Sequence, residues 1–94
     1  MKELSEIRLE LDALDRELIA LFEKRMALSG EVAEYKRAHD LPVLDASREA
    51  HVLDSRAAMA TPAHQAAVRA LMKEIMSLSR AEQEQLLKEA KPEC

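Results

Sequence analysis

Cysteine is almost missing from this 94-residue chain: one stands at the very end, Cys94. That excludes a disulfide framework and a cysteine-based metal site. Glycine occurs once, proline three times and aromatic residues twice, against many Leu, Ala, Glu, Lys and Arg. So few helix breakers and so little strand-forming material indicate an all-helical protein. A basic excess is lacking too, with 14 Lys and Arg against 18 Asp and Glu and a net charge of −4. Without a dominant basic face, nucleic acid is excluded as a partner, and an anionic ligand must be held by a local cluster of cations. No apolar run is long enough to span a membrane, and the alternating charged and apolar N-terminus does not read as a signal peptide. A reducing, cytoplasmic location is the expectation. The length suits one domain, residues 1–94, with a small core, in the range where oligomerisation often helps.

What the chain does have is a long helical pattern from Glu3 to about His39. Leu4, Ile7, Leu11, Leu14, Leu18, Leu21, Leu28, Val32 and Tyr35 step by three and four residues, with one step missing between Leu21 and Leu28. Arg25 stands at the missing step. A guanidinium inside an apolar seam is costly to desolvate unless an anion meets it, so function is expected there. Lys36 falls on the same face, rotated by about 20° and roughly 16 Å further along. Arg8 lies roughly 25 Å away in the other direction, rotated by about 100°. Such a helix, about 55 Å long, overhangs a 94-residue globule whose expected radius of gyration is about 12 Å. A second copy packed antiparallel would cover the stripe and bring Arg8 of one chain towards Arg25 of the other.

Pro42 ends the first helix near His39 to Leu41, because the residue before a proline disfavours helix. Leu41 to Leu44 reads as an extended connector. Asp45 is placed to cap a second helix over about 46–58. After a turn at Met59 to Thr61, Pro62 suits the first position of a third helix over 62–89, with Thr61 as its cap. The tail from Lys91 to Cys94 is expected to fray. The architecture is long, short, long.

The later helices also direct polar groups inward. Val68, Met72, Ile75 and Leu86 share a face with Ser79 and Gln83, which are i,i+4 neighbours able to reach one point. On the second helix Glu49 borders the apolar side at Leu53, and Arg48 the side at Val52. Each has an ordinary explanation alone: long cations cover apolar surface with their stems, serine is tolerated at helix contacts, and Asp45 caps a helix. His39, His51 and His64 lack metal-ligand spacing and read as surface residues. No metal site, nucleophile–base pair, phosphate loop or paired-carboxylate site stands out. Together, several cations, a carboxylate and an amide facing inward suit a small dicarboxylate with a hydroxyl group, bound by a helical dimer.

In order along the chain, Arg8, Arg25, Lys36, Asp45, Arg48, Glu49, Ser79 and Gln83, with Pro42-Val43 before Asp45, resemble the all-helical chorismate mutase family. Ile7-Arg8, Leu14-Asp15, Leu18-Ile19, Lys24-Arg25-Met26-Ala27 and Val32-Ala33 resemble its first helix. The likeness covers residues 4 to 87. It implies an intertwined homodimeric bundle with two sites, each completed by Arg8 of the other chain, and needs no cofactor. It further implies that Arg8, Arg25 and Arg48 hold the two carboxylates of chorismate, while Glu49 and the backbone near Asp45 receive the ring hydroxyl. Lys36 and Gln83 would face the ether oxygen, with Ser79 at the ring carboxylate; Lys36, Gln83 and Arg25 are the catalytic residues so implied. The reaction would be the Claisen rearrangement of chorismate to prephenate, on the route to phenylalanine and tyrosine. Two alternatives are an isochorismate pyruvate lyase, which shares the fold, and a non-catalytic helical dimerisation module.

Overall fold

The computed structural model describes residues 1–90. Three α-helices follow one another: α1 (Leu4–Ala38), α2 (Ala46–Met59) and α3 (Gln65–Ala90). The expected long, short, long order is what the chain adopts, and no strand occurs among the described residues. Lys91 to Cys94, for which a frayed tail is expected, lie outside them.

α1 ends on a defined hydrogen-bonded cap rather than on Pro42 alone. The Leu41 N–H donates to the Lys36 carbonyl at 2.8 Å, and the Asp40 N–H to the Arg37 carbonyl at 3.4 Å. Asp40 takes φ 53°. This is the left-handed closure in which two late N–H groups satisfy the last helical carbonyls. Glycine is the usual residue there; aspartate tolerates the conformation better than most side chains. The connector bends at Val43 and leads to Asp45, whose carboxylate accepts the Arg48 N–H at 3.0 Å and caps α2 as expected.

The start of the third helix departs from expectation. Pro62–His64 form a 3₁₀ turn, and the α-helix proper begins at Gln65. Thr61 makes no side-chain cap to the backbone, because its hydroxyl lies 3.1 Å from His64 Nδ1 instead. The Thr61 carbonyl accepts from His64 N at 2.9 Å, three residues on, which makes the first turn tighter than an α-helix.

α3 is the central element and packs on both α1 and α2. The buried apolar residues are few: Ala33, Val52, Ala57 and Met76. On α1 the face turned to α3 carries Phe22, Met26, Ser29, Gly30 and Ala33, all buried or half-buried. Small residues at its centre let the two helices approach. A Cβ on Gly30 would stand 3.4 Å from Leu86 Cδ1. The leucine stripe is a different face. Leu4, Ile7, Leu11, Leu14, Leu18 and Leu21 are 41 to 62% exposed, and every residue from 1 to 21 is exposed. The molecule measures 64 × 27 × 14 Å with a radius of gyration of 17.2 Å. A compact chain of this length would have about 12 Å. The overhang of α1 expected from its length is therefore present.

Candidate functional site

Arg25 sits on the boundary between the two faces of α1. It is rotated by about 40° from Ser29, which packs on α3, and by about 60° from Leu28, which is exposed. From that boundary it reaches a cavity of about 290 Å³, open on one side and lined by α1, the connector, α2 and α3. The size lies at the small end for ligand pockets. Every predicted site residue except Arg8 lines this cavity: Arg25 and Lys36 from α1, Asp45 at the connector, Arg48 and Glu49 from α2, Ser79 and Gln83 from α3. Arg8 is exposed on the overhanging half of α1 and takes no part in the cavity of its own chain.

Each helix delivers its groups for a local reason. Arg25, Ser29 and Lys36 recur at helical spacing on one side of α1. The α1 cap turns the connector back so that Val43 stands beside the helix, and the Lys36 Nζ donates to the Val43 carbonyl. The Asp45 cap starts α2 with Arg48 and Glu49 in its first turn, on the cavity side. Because the Asp45 carboxylate serves this cap, Asp45 contributes chiefly by holding the backbone. Ser79 and Gln83, one turn apart on α3, are 5% and 7% exposed.

Two cavity residues escaped the reading of the sequence, Arg56 of α2 and Arg80 of α3. Arg56 falls two turns after Arg48 and Glu49, and that spacing could have found it. Arg80 follows Ser79 directly, and no spacing marks it out. A third, Ser29, lines the cavity one turn after Arg25 and is 8% exposed. With these, the wall holds five cations (Arg25, Lys36, Arg48, Arg56, Arg80) and two carboxylates (Asp45, Glu49), a local positive balance in an acidic chain.

The electrostatics show the strain of that balance. Burial lowers the pKa of Arg25 below its ordinary value, and the charges of Arg56 and Arg48 lower it further. Arg25 Nη1 donates to Ser79 Oγ at 3.4 Å, a long contact that leaves the cation under-compensated. Arg80 Nε stands 2.9 Å from Glu49 Oε2, yet its N–H has no hydrogen-bond partner, so the pair is an attraction of charges without an aimed bond. Gln83 Nε2 donates to Ser29 Oγ at 2.7 Å, while Gln83 Oε1 is buried with no partner. A buried polar atom left unpaired costs on the order of 1–3 kcal/mol. Excess positive charge and an unsatisfied amide are both relieved by a small anion that carries further polar groups.

Among the described residues no three His, Cys, Asp or Glu are grouped as metal ligands, and no helix is long and apolar enough to cross a membrane. His39, His51 and His64 are exposed, as expected; His39 stacks on Tyr35 with centroids 3.9 Å apart, outside the cavity.

Residues 7–84 match the family model described as chorismate mutase type II. Among curated proteins the chain is 45% identical over 56 residues to the T-protein of Haemophilus influenzae, covering 60% of this chain and 15% of that protein. It is 41% identical over 54 residues to the T-protein of Enterobacter agglomerans, covering 57% of this chain and 14% of the relative. It is 33% identical over 54 residues to the chorismate mutase of Methanocaldococcus jannaschii, covering 57% of this chain and 54% of that one. The chain thus spans about half the length of that mutase and a smaller part of the T-proteins. No solved structure gave a significant match. The matched span carries α2, most of α1 and α3, and every residue that lines the main cavity, and the chain belongs to the chorismate mutase type II family.

Proposed function

We propose that this chain is a chorismate mutase, working in the cytoplasm as an intertwined homodimer with one catalytic domain per chain. The observation that carries the reading is the cation-lined cavity with Gln83 in its wall, inside a chain that is acidic overall. In it Arg25 and Arg48, with Arg8 from a second copy, hold the two carboxylates of chorismate. Glu49, whose bond to Arg80 is not aimed, keeps a lone pair for the ring hydroxyl, beside the backbone at Asp45. Ser79 supports the ring carboxylate end, and Lys36 and Gln83 face the ether oxygen.

The chemistry asks little of a protein beyond this. In the Claisen rearrangement the ether C–O bond breaks as a new C–C bond forms between the enolpyruvyl carbon and the ring, within one molecule. The cavity confines a freely rotating enolpyruvyl group to its reactive chair-like conformer. As the C–O bond breaks, negative charge grows on the oxygen, and Lys36 and Gln83 stabilise it more than they stabilise the ground state.

The second copy is supported by the leucine stripe of α1, which single-chain proteins rarely leave uncovered. Packed antiparallel, a partner's α1 would cover it and carry Arg8 to the open side of the cavity, across the roughly 25 Å that separate it from Arg25 along one helix.

The test follows the loss of chorismate by absorbance and the product by proton NMR. Prephenate is expected. With isochorismate supplied instead, salicylate with pyruvate and no prephenate from chorismate would make the protein a lyase, and no turnover of either substrate would leave a non-catalytic dimerisation module.

A further inference from the structure

Ser29 belongs to none of the roles above, yet it makes a short polar contact between two buried side chains of the site. Its Oγ lies 2.7 Å from Gln83 Nε2, joining α1 to α3, and both side chains are buried. In that arrangement the amide N–H donates a hydrogen bond to Ser29 Oγ, and its own oxygen, buried in the cavity wall, has no partner. Nor does the Ser29 hydroxyl donate to any acceptor among the described residues. A half-turn of the amide about its last bond removes both shortfalls and leaves the NH₂ as the group without a partner, free for a ligand to meet. The Ser29 hydroxyl then donates to Gln83 Oε1, and the NH₂ takes the place of the oxygen. A hydroxyl is both donor and acceptor, so it complements either orientation.

We propose that Ser29 is a positioning residue that sets the direction of the Gln83 amide during catalysis. The inference rests on the reading of Gln83 as the donor to the ether oxygen. That oxygen can only accept a hydrogen bond, so it selects the orientation with NH₂ forward. Ser29 completes the chain from behind: its O–H donates to Gln83 Oε1, which polarises the amide and strengthens the bond that Nε2–H makes in front. With no partner behind it, the amide would divide its time between two orientations, one of which presents an oxygen to an oxygen. The contribution grows with the charge on the ether oxygen, so it belongs to the transition state more than to substrate binding.

The experiment is a double-mutant cycle on the full chain, with chorismate as substrate and circular dichroism to confirm folding. Ser29→Ala is expected to lower kcat by about 3- to 10-fold, the rate equivalent of one neutral hydrogen bond, with KM unchanged. In a Gln83→Ala background the same substitution should cost nothing further. An equal loss in both backgrounds, a loss seen in KM alone, or a Ser29→Ala variant as fast as the parent would overturn the role given to Ser29. Full activity in Gln83→Ala alone is a different failure: it removes Gln83 from the ether oxygen, and the positioning role falls with it.

Discussion

Arg80 and Glu49 stand 2.9 Å apart across the contact of α3 with α2, close enough to attract and not aligned to hydrogen-bond. The geometry leaves the carboxylate available to a hydroxyl while an adjacent cation offsets its charge. Half-exposed ion pairs contribute about 0–1 kcal/mol to stability, so the pair matters for the field of the cavity more than for the fold. Arg80→Met is expected to leave the unfolding midpoint nearly unchanged and to raise KM for chorismate by about 3- to 10-fold, on the order of 1 kcal/mol of lost attraction. Steady-state kinetics beside thermal unfolding checks both halves, and an unchanged KM would place Arg80 outside the substrate's field.

Under the proposed function Arg25 binds substrate, and its removal is expected to cost the fold nothing. Its pKa is lowered by burial first and by Arg56 and Arg48 next. The sign follows directly: for a base with a lowered folded pKa, the charged form is the disfavoured one. The penalty is present at every pH below that pKa, including the whole neutral range, and eases only in strong alkali. Arg25→Leu should therefore keep or raise the unfolding midpoint from mildly acidic to mildly alkaline pH. Activity should fall by several orders of magnitude, since a charge-assisted contact to the substrate is lost. An active Arg25→Leu enzyme would refute the assignment.

Arg8 tests the shared site. Arg8→Ala and Arg25→Ala should each be nearly inactive alone. Refolded together they should form heterodimers in which one of the two sites has both arginines, restoring at most about half the activity per heterodimer. If heterodimers are demonstrated and nothing returns, Arg8 does not act across the interface.

For Gln83 the informative change is to glutamate. An amide donates in any protonation state, whereas a carboxyl donates only when it holds its proton. The parent should be insensitive to pH from mildly acidic to mildly alkaline conditions. Gln83→Glu carries a group whose reference pKa is about 4.3; burial and the substrate's charge raise it, and Lys36 lowers it. The variant should be slow at neutral pH and recover as pH falls, until the fold fails. Measured as kcat/KM against pH, a profile as flat as the parent's would remove residue 83 from the ether oxygen.

Much of this was legible in the chain itself, because punctuation and period are local. Pro42, Asp45 and Pro62 mark the helix boundaries to within a few residues, and the polar residues of the inward faces do meet in one cavity. What stayed hidden depends on the third dimension. The left-handed turn at Asp40 has no glycine to announce it. Thr61 turned to His64 instead of capping α3, a choice between two nearby partners that spacing does not decide. Arg80 went unmarked, since a helical wheel shows which residues share a face and not where a neighbouring helix lies. The leucine stripe is an extreme case: its period is plain, yet within the chain α3 packs on the face about 100° away, where Ser29, Gly30 and Ala33 let the helices close.

That division of α1 into two faces has a consequence for how the protein can change. Along the stripe, exchanges among Leu, Ile and Met should be absorbed, since a large apolar surface repacks when its volume is roughly kept. At Ala33, fully buried, one added methylene has nowhere to go; at Ser29 it would displace the contact to Gln83, and at Gly30 a methyl already meets Leu86. In a library randomised along α1, survivors should therefore vary widely at Leu11, Leu14 and Leu18 and hold to Gly, Ala and Ser at positions only one helical step around. One helix would thus evolve at two speeds.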